Sequence, residues 1–399
     1  MYLVARRLFD GRSDVLIHDA LVRIVDGTIV AIGHAGDAPP DAELTDLGDV
    51  TLIPGLIDVH QHLGFDASTD PVAQIDADDD ATLLLRMRLA ALRALAVGIT
   101  TIRDLGDRNY VSLSLRDWFN NGSEVGPRLL CAGPPLTVTN GHCWFLGGVA
   151  DGVDGVRAAV RERVERGADV IKIMATGGNM TPTLGPHESQ YGVAELAAAV
   201  DEAHAHGRKL AVHAHGSQGI IDALAVGVDS IEHCTFFSAE GVDTLPDVLE
   251  QLARSGIPIS ATAAAIPDVE PMYPAIAKRR EAIIQNMQTL LRAGARMVVS
   301  SDAGVAPSKP HDVLPYAVSH QCALVGMTNL EALVSVTSAA AEVCGLQDAT
   351  GALEVGKDAD VVAVRGNPLE DRNAIHDVAA VFARGNRVTR LGRRRPPTS

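Results

Sequence analysis

Hydrophobic and polar positions along the chain fall into two textures. From residue 1 to about residue 53, short apolar runs at 2–5, 14–17, 20–25 and 28–33 are separated by polar and glycine positions. Asp26-Gly27, between the last two runs, is a two-residue hairpin signal. Residues 352–391 share this texture, with runs at 360–364, 378–382 and 387–389. Neither end carries enough apolar residues for a core of its own, so the two are expected to pair into one small β-sandwich. Between them, apolar strands predicted at 56–60, 100–104, 128–133, 170–174, 210–215, 230–234, 258–262 and 296–302 alternate with amphipathic helical stretches such as 81–97, 155–166, 195–206 and 276–293. Strict alternation predicts an α/β fold, a TIM-like (β/α)8 barrel whose chemistry gathers at the C-terminal strand ends, with an eight-stranded open sheet as the alternative. The expected division is 1–53 and 348–399 for the two halves of the sandwich and 54–347 for the barrel.

One strand breaks its own pattern. Val170-Ile171-Lys172-Ile173-Met174 is apolar and β-branched and closes on Ala175-Thr176-Gly177-Gly178, yet a lysine sits at its centre. An unpaired ammonium is costly to bury in such a run. The chain's other lysines are Lys209, Lys278, Lys309 and Lys357, and its remaining basic residues are arginines. Two explanations stand at this point: a salt-bridged core lysine, or a lysine turned into an anionic metal ligand by reaction with carbon dioxide.

Composition narrows the field. At 399 residues, the chain suits one barrel of about 250 residues plus an accessory piece. A net charge of −16 and an aromatic content of 4% argue against a nucleic-acid surface. The basic run Arg393-Arg394-Arg395 lies in a tail and reads as a solvated end. Five scattered cysteines without a CxxC pair fit a reducing compartment. With no secretory pattern at residues 1–7 and no apolar run approaching about 18 residues, the expectation is a soluble, cytoplasmic protein that engages no membrane.

Polar residues then decide between barrel and open sheet, because metal-ligand types fall at predicted strand ends. His60-Gln61-His62 closes the first strand, and alternate residues of an extended segment project to one side. His213-Ala214-His215 lies on the fifth, Glu232-His233 closes the sixth and Ser300-Ser301-Asp302 the eighth. Isolated histidines (His18, His34, His187, His204, His206, His311, His320, His376) read as ordinary core or surface residues. The imidazoles and carboxylate gathered at the strand ends, beside a buried lysine, read as a metal site.

Pro54-Gly55-Leu56-Ile57-Asp58-Val59-His60-Gln61-His62, the Lys172 strand, Ser230-Ile231-Glu232-His233, Ser301-Asp302 and the tail Gly351–Asp360 together resemble the amidohydrolase superfamily over nearly the whole chain. Lys-Ile-Met-Ala-Thr-Gly-Gly and His-Ala-His-Gly resemble its branch of Xaa-Pro dipeptidase-like carboxypeptidases, imidazolonepropionase-related proteins and ochratoxin-type amidases. That resemblance implies two zinc ions, with His60 and His62 on the first, His213 and His233 on the second, Lys172 bridging both as its carbon dioxide carbamate, and Asp302 touching the first. His215 is then expected beside the metals, toward substrate. Asp302 is implied as general base and then general acid. His142 and Tyr191 resemble residues that hold a substrate carboxylate; ordinary loop packing is the alternative for Tyr191. Arg103 is expected to pair with a structural carboxylate, contact with a substrate anion being the alternative. Segments 263–274 and 304–315 look like covers over the site. Relatives imply a homo-oligomer.

The activity implied is hydrolysis of an amide bond in dipeptides or N-acyl-amino acids bearing a free carboxylate. Hydrolysis of cyclic amides, imidazolones, carbamates or xenobiotic amides is the nearest alternative. A non-catalytic barrel scaffold is the alternative from another class.

Overall fold

The computed structural model describes residues 1–269 and 272–388. Thr389, Pro271 and the run Arg393–Arg395, which carried expectations above, lie outside the described residues. The N-terminal part forms β1 (Tyr2–Leu8), β2 (Ile17–Val25), β3 (Thr28–His34), β4 (Leu44–Asp46) and β5 (Val50–Pro54). The central strands are β6 (Leu56–Gln61), β7 (Ile99–Asp104), β8 (Arg128–Cys131), β9 (Val170–Met174), β10 (Lys209–Gly216), β11 (Ser230–Phe237), β12 (Ile259–Ala261) and β13 (Met297–Val299). The C-terminal part adds β14 (Val361–Arg365), β15 (Val378–Ala383) and β16 (Asn386–Arg387).

Both chain ends meet in a single hydrogen-bonded, 8-stranded sheet, in the order β16-β15-β14-β5-β1-β2-β3, with β4 on β1. Its apolar core is shared as the sequence requires: Leu3, Leu8, Val22, Ile29 and Leu52 pack with Val361 and Phe382, all buried. At the hairpin, Asp26 and Gly27 both take positive φ, 48° and 79°, the conformation that matches the twist of Val25 and Thr28 on either side. The strand expected at 14–17 does not form. β2 begins at Ile17, and the residues before it turn, with Asp10 accepting from the backbone of Arg12 and Ser13 and Val15 left 71% exposed. A local side-chain turn competes successfully there with a run holding few apolar residues.

The central strands are parallel throughout, in two sheets ordered β13-β12-β11-β10-β9 and β6-β7-β8. Backbone hydrogen bonds cross between them on both sides. Asp302 N donates to His60 O at 2.8 Å and His62 N to Ala303 O at 3.0 Å, while Leu136 N donates to Lys172 O at 2.8 Å. Helices Asp80–Ala96, Val111–Asn120, Gly152–Arg166, Val193–Ala205, Ser217–Val226, Pro246–Ser255 and Pro274–Arg292 separate the strands, and Asp79 caps the first by accepting from Thr82 N. Among the described residues no helix is long and apolar enough to cross a membrane.

Gly55 joins the end sheet to the central strands, donating its N–H to Asp360 O at 2.8 Å. A Cβ there would stand 2.0 Å from Thr100 Oγ1 and 2.8 Å from Thr100 Cβ, so even alanine overpacks the junction. Gly55→Ala is expected to cost about 1–3 kcal/mol, read as a lowered denaturation midpoint. An unchanged midpoint would show that the junction yields freely.

Candidate metal centre

Histidines of β6, β10 and β11, with His62 and Asp302 just beyond β6 and β13, converge in two groups. His60 is fully buried at the end of β6, and His62 follows just beyond it. Their Nε2 atoms are 3.2 Å apart, and Asp302 Oδ1 lies 3.5 Å from His60 Nε2 and 3.4 Å from His62 Nε2. Beside them stands a second group, His213 and His215 from β10 and His233 from β11. In each group the ligand-type atoms lie within 4.8 Å of one another. The His60 and His233 rings, 4.9 Å between centroids, join the groups into one cluster. His233 and Asp302 hold positive φ, 69° and 56°, as do Cys234 and Phe236. Non-glycine residues seldom occupy that region, and here it bends the strand ends so that ligating side chains face one another.

Hydrogen bonds orient the rings. His215 Nδ1 pairs with Thr235 Oγ1 at 2.9 Å and His233 Nδ1 with Thr262 Oγ1 at 2.8 Å, leaving each Nε2 free. His213 Nε2 donates to Gly177 O at 3.0 Å, leaving Nδ1. Burial pushes the imidazoles down, His60 to about 3 and His215 to about 4, with His213 and His233 well below the usual range. Neutral imidazoles are what metal ligation requires.

Lys172 is 1% exposed, and its Nζ has no hydrogen-bond partner. Burial lowers its pKa from the ordinary 10.5 to about 8, against the attraction of Glu232. Burial would raise Asp302, but Lys309, with His62 and His60, holds its carboxyl well below the usual carboxylate range. Lys309 Nζ donates to Thr262 O and Ser301 O, each at 2.9 Å, and sits 3.4 Å from Asp302 Oδ2. Arg103 pairs with a buried carboxylate, Glu232, at 2.8 Å, the structural role expected of it.

The geometry thus brings together His60, His62, Lys172, His213, His233 and Asp302. It places His215 within the second ligand group and not outside it. His142 also reaches the cluster: it is buried, its ring centroid lies 4.8 Å from that of His213, and its Nδ1 has no partner. Tyr191 is not brought there by any contact among the described residues. It is 2% exposed and its hydroxyl donates to Ala150 O at 2.7 Å, the loop-packing alternative. Sequence reasoning missed Lys309, Thr235 and Thr262. Lysine scarcity was the one signal that could have singled out Lys309.

The family model described as "Amidohydrolase family" matches residues 51–388. The chain belongs to the amidohydrolase family. It is accordingly a hydrolase acting on carbon–nitrogen bonds. It is 31% identical over 417 residues to ochratoxinase of Aspergillus niger, covering 95% of this chain and 84% of that protein. Imidazolonepropionase of Sphingopyxis alaskensis is 24% identical, with 89% of each chain covered. Among solved structures, a Xaa-Pro dipeptidase with bound methionine superposes with a TM-score of 0.86 at 30% identity, over 97% of this amidohydrolase and 98% of that chain.

The buried Lys172 ammonium yields a test on metal-free protein. Its pKa is lower folded than unfolded, so the unfolded chain binds the extra proton between about 8 and 10.5, and stability rises with pH across that window. Lys172→Met is therefore expected to be more stable than the wild type below pH 8, by about 3 kcal/mol. That advantage should vanish as pH climbs toward 10.5. Denaturant titrations of metal-stripped proteins check it, and an advantage independent of pH would refute the account.

Proposed function

We propose that this amidohydrolase is a binuclear metal hydrolase that cleaves an amide bond whose amine side carries a free carboxylate, in dipeptides or N-acyl-amino acids. The observation that carries the reading is the pair of ligand groups standing beside a buried lysine whose Nζ has no partner. The donor set fits two divalent cations, with zinc the expected metal. His60, His62 and Asp302 would hold one and His213 and His233 the other, His215 being adjacent to it. Lys172, converted by carbon dioxide from a cation to a carbamate anion, would serve both. In the fold proposed, the two central sheets are one eight-stranded barrel spanning 54–347, and the strands of 1–53 and 348–399 form the accessory sandwich.

Bound divalent cations supply charge that polarises the scissile carbonyl and makes the attacking water more acidic. Asp302, held ionised by Lys309, would take a proton from that water and return it to the leaving nitrogen. His142, buried beside His213 with Nδ1 unpartnered, would donate to the substrate carboxylate or carbonyl. Tyr191, with its hydroxyl donated to Ala150 O, needs that bond broken before it could take part.

The dipeptidase reading draws on the 30% identity with the Xaa-Pro dipeptidase over almost the full chain. The 31% identity with ochratoxinase favours a second reading, hydrolysis of xenobiotic amides. Amine release from dipeptides and N-acyl-amino acids, each paired with its C-terminal amide in the presence of zinc and bicarbonate, tests whether the free carboxylate is required. Cleavage of the free acids alone is expected; equal cleavage of both members of each pair would move the substrate class to neutral amides. Lys172→Ala is expected to lose most bound zinc and most activity, with recovery on adding short carboxylic acids. Wild-type metal content in that variant would remove the carbamate from the scheme.

A further inference from the structure

We infer that Glu232 is a positioning residue that sets the tautomer of His60 and so keeps His60 Nε2 bare for a metal. The inference rests on reading His60 as a ligand. Glu232 lies fully buried on β11, and both its oxygens are occupied. Oε2 is 2.8 Å from His60 Nδ1. Oε1 accepts from Arg103 Nη2 at 2.8 Å and from Ser230 Oγ at 2.7 Å. Arg103 is itself fixed, donating from Nε to Val59 O at 2.6 Å and from Nη1 to Ser230 Oγ at 3.3 Å. A chain of contacts therefore runs from β7 through β11 to β6.

An ionised carboxylate accepts hydrogen bonds and cannot donate one, so the hydrogen between Glu232 and His60 belongs to Nδ1. Neutral imidazole carries a single N–H, and Nε2 is left as a lone pair. That nitrogen is the one facing His62 Nε2 and Asp302 Oδ1. Carboxylates in this position on ligating histidines both orient the ring and raise its donor strength. The arrangement also accounts for a buried arginine–glutamate pair at the centre of the strands: Arg103 keeps Glu232 charged, and the charge keeps the tautomer.

Glu232→Gln separates this role from packing. The amide oxygen still accepts from Arg103 and Ser230, while its NH2 faces His60 Nδ1 and forces the imidazole proton onto Nε2. Histidine nitrogen NMR on metal-free protein, with His60 assigned by its loss in His60→Asn, should show the proton on Nδ1 in the wild type and on Nε2 in Glu232→Gln. Zinc titration should show affinity lowered about 10–100-fold in that variant. Ser230→Ala, which leaves the Glu232–His60 bond in place, should keep both the tautomer and the affinity. A wild-type His60 protonated on Nε2, or unchanged zinc affinity in Glu232→Gln, would overturn the inference, and the first of these needs no variant to fold. If unmutated protein bound no zinc, the metal reading itself would fall, and that result appears in a separate titration.

Discussion

A single positive charge with nowhere to go governs the interior of this protein. Arg103 is neutralised by Glu232 and Lys309 stands against Asp302, but Lys172 Nζ, buried among histidines, has no hydrogen-bond partner. Neighbouring imidazoles cannot help, because burial keeps them neutral and any protonated one would repel the ammonium. An interior of low polarisability magnifies that imbalance. Either the folded protein carries the cost permanently, or the lysine is meant to change its charge. The proposed carbamate reverses the sign at that position and turns an unfavourable cluster into one with a need for cations.

The fold serves this charge arrangement at two levels. Parallel pairing places β9, β10 and β11 side by side with Lys172, His213 and His233 near the same end, His213 opposite Glu232 and Ala214 opposite His233. Backbone bends then finish what pairing begins. Left-handed conformations at His233 and Asp302 fall on residue types that enter this region more readily than most, yet remain uncommon for any residue with a Cβ. They persist because the surrounding ladder and the threonine and lysine hydrogen bonds over-determine the strand ends.

Much of this was legible in the chain. Apolar runs located all the central strands, Val170–Met174 to the residue, because buried parallel strands read as continuous β-branched segments. The ligand types were legible because imidazoles and a carboxylate at strand ends break that pattern visibly. The runs overreached at 258–262 and 296–302, where only Ile259–Ala261 and Met297–Val299 form ladder. Residues such as Thr262 and Asp302 leave the sheet to orient side chains while staying in sequence with it. What contacts alone decide was not legible. Tyr191 sits in a loop whose hydroxyl partner, Ala150, is 41 residues away, and Lys309 reaches Thr262 and Asp302 from a segment with no periodicity.

Asp302 carries the tension that remains. Its Oδ1 belongs to the His60–His62 group while its Oδ2 faces Lys309, so its two oxygens are held by different neighbours. The ammonium that keeps it ionised also makes it a weak base. A water of ordinary acidity could not give its proton to such a carboxylate, so the proposed proton transfer would require a water activated first. Once protonated, the same group would be a strong acid and would give its proton up readily to a departing nitrogen. In the proposed scheme, an aspartate tuned this way would be poor at starting the reaction unaided and well suited to finishing it, which is the balance a site borrowing its activation from bound cations would need.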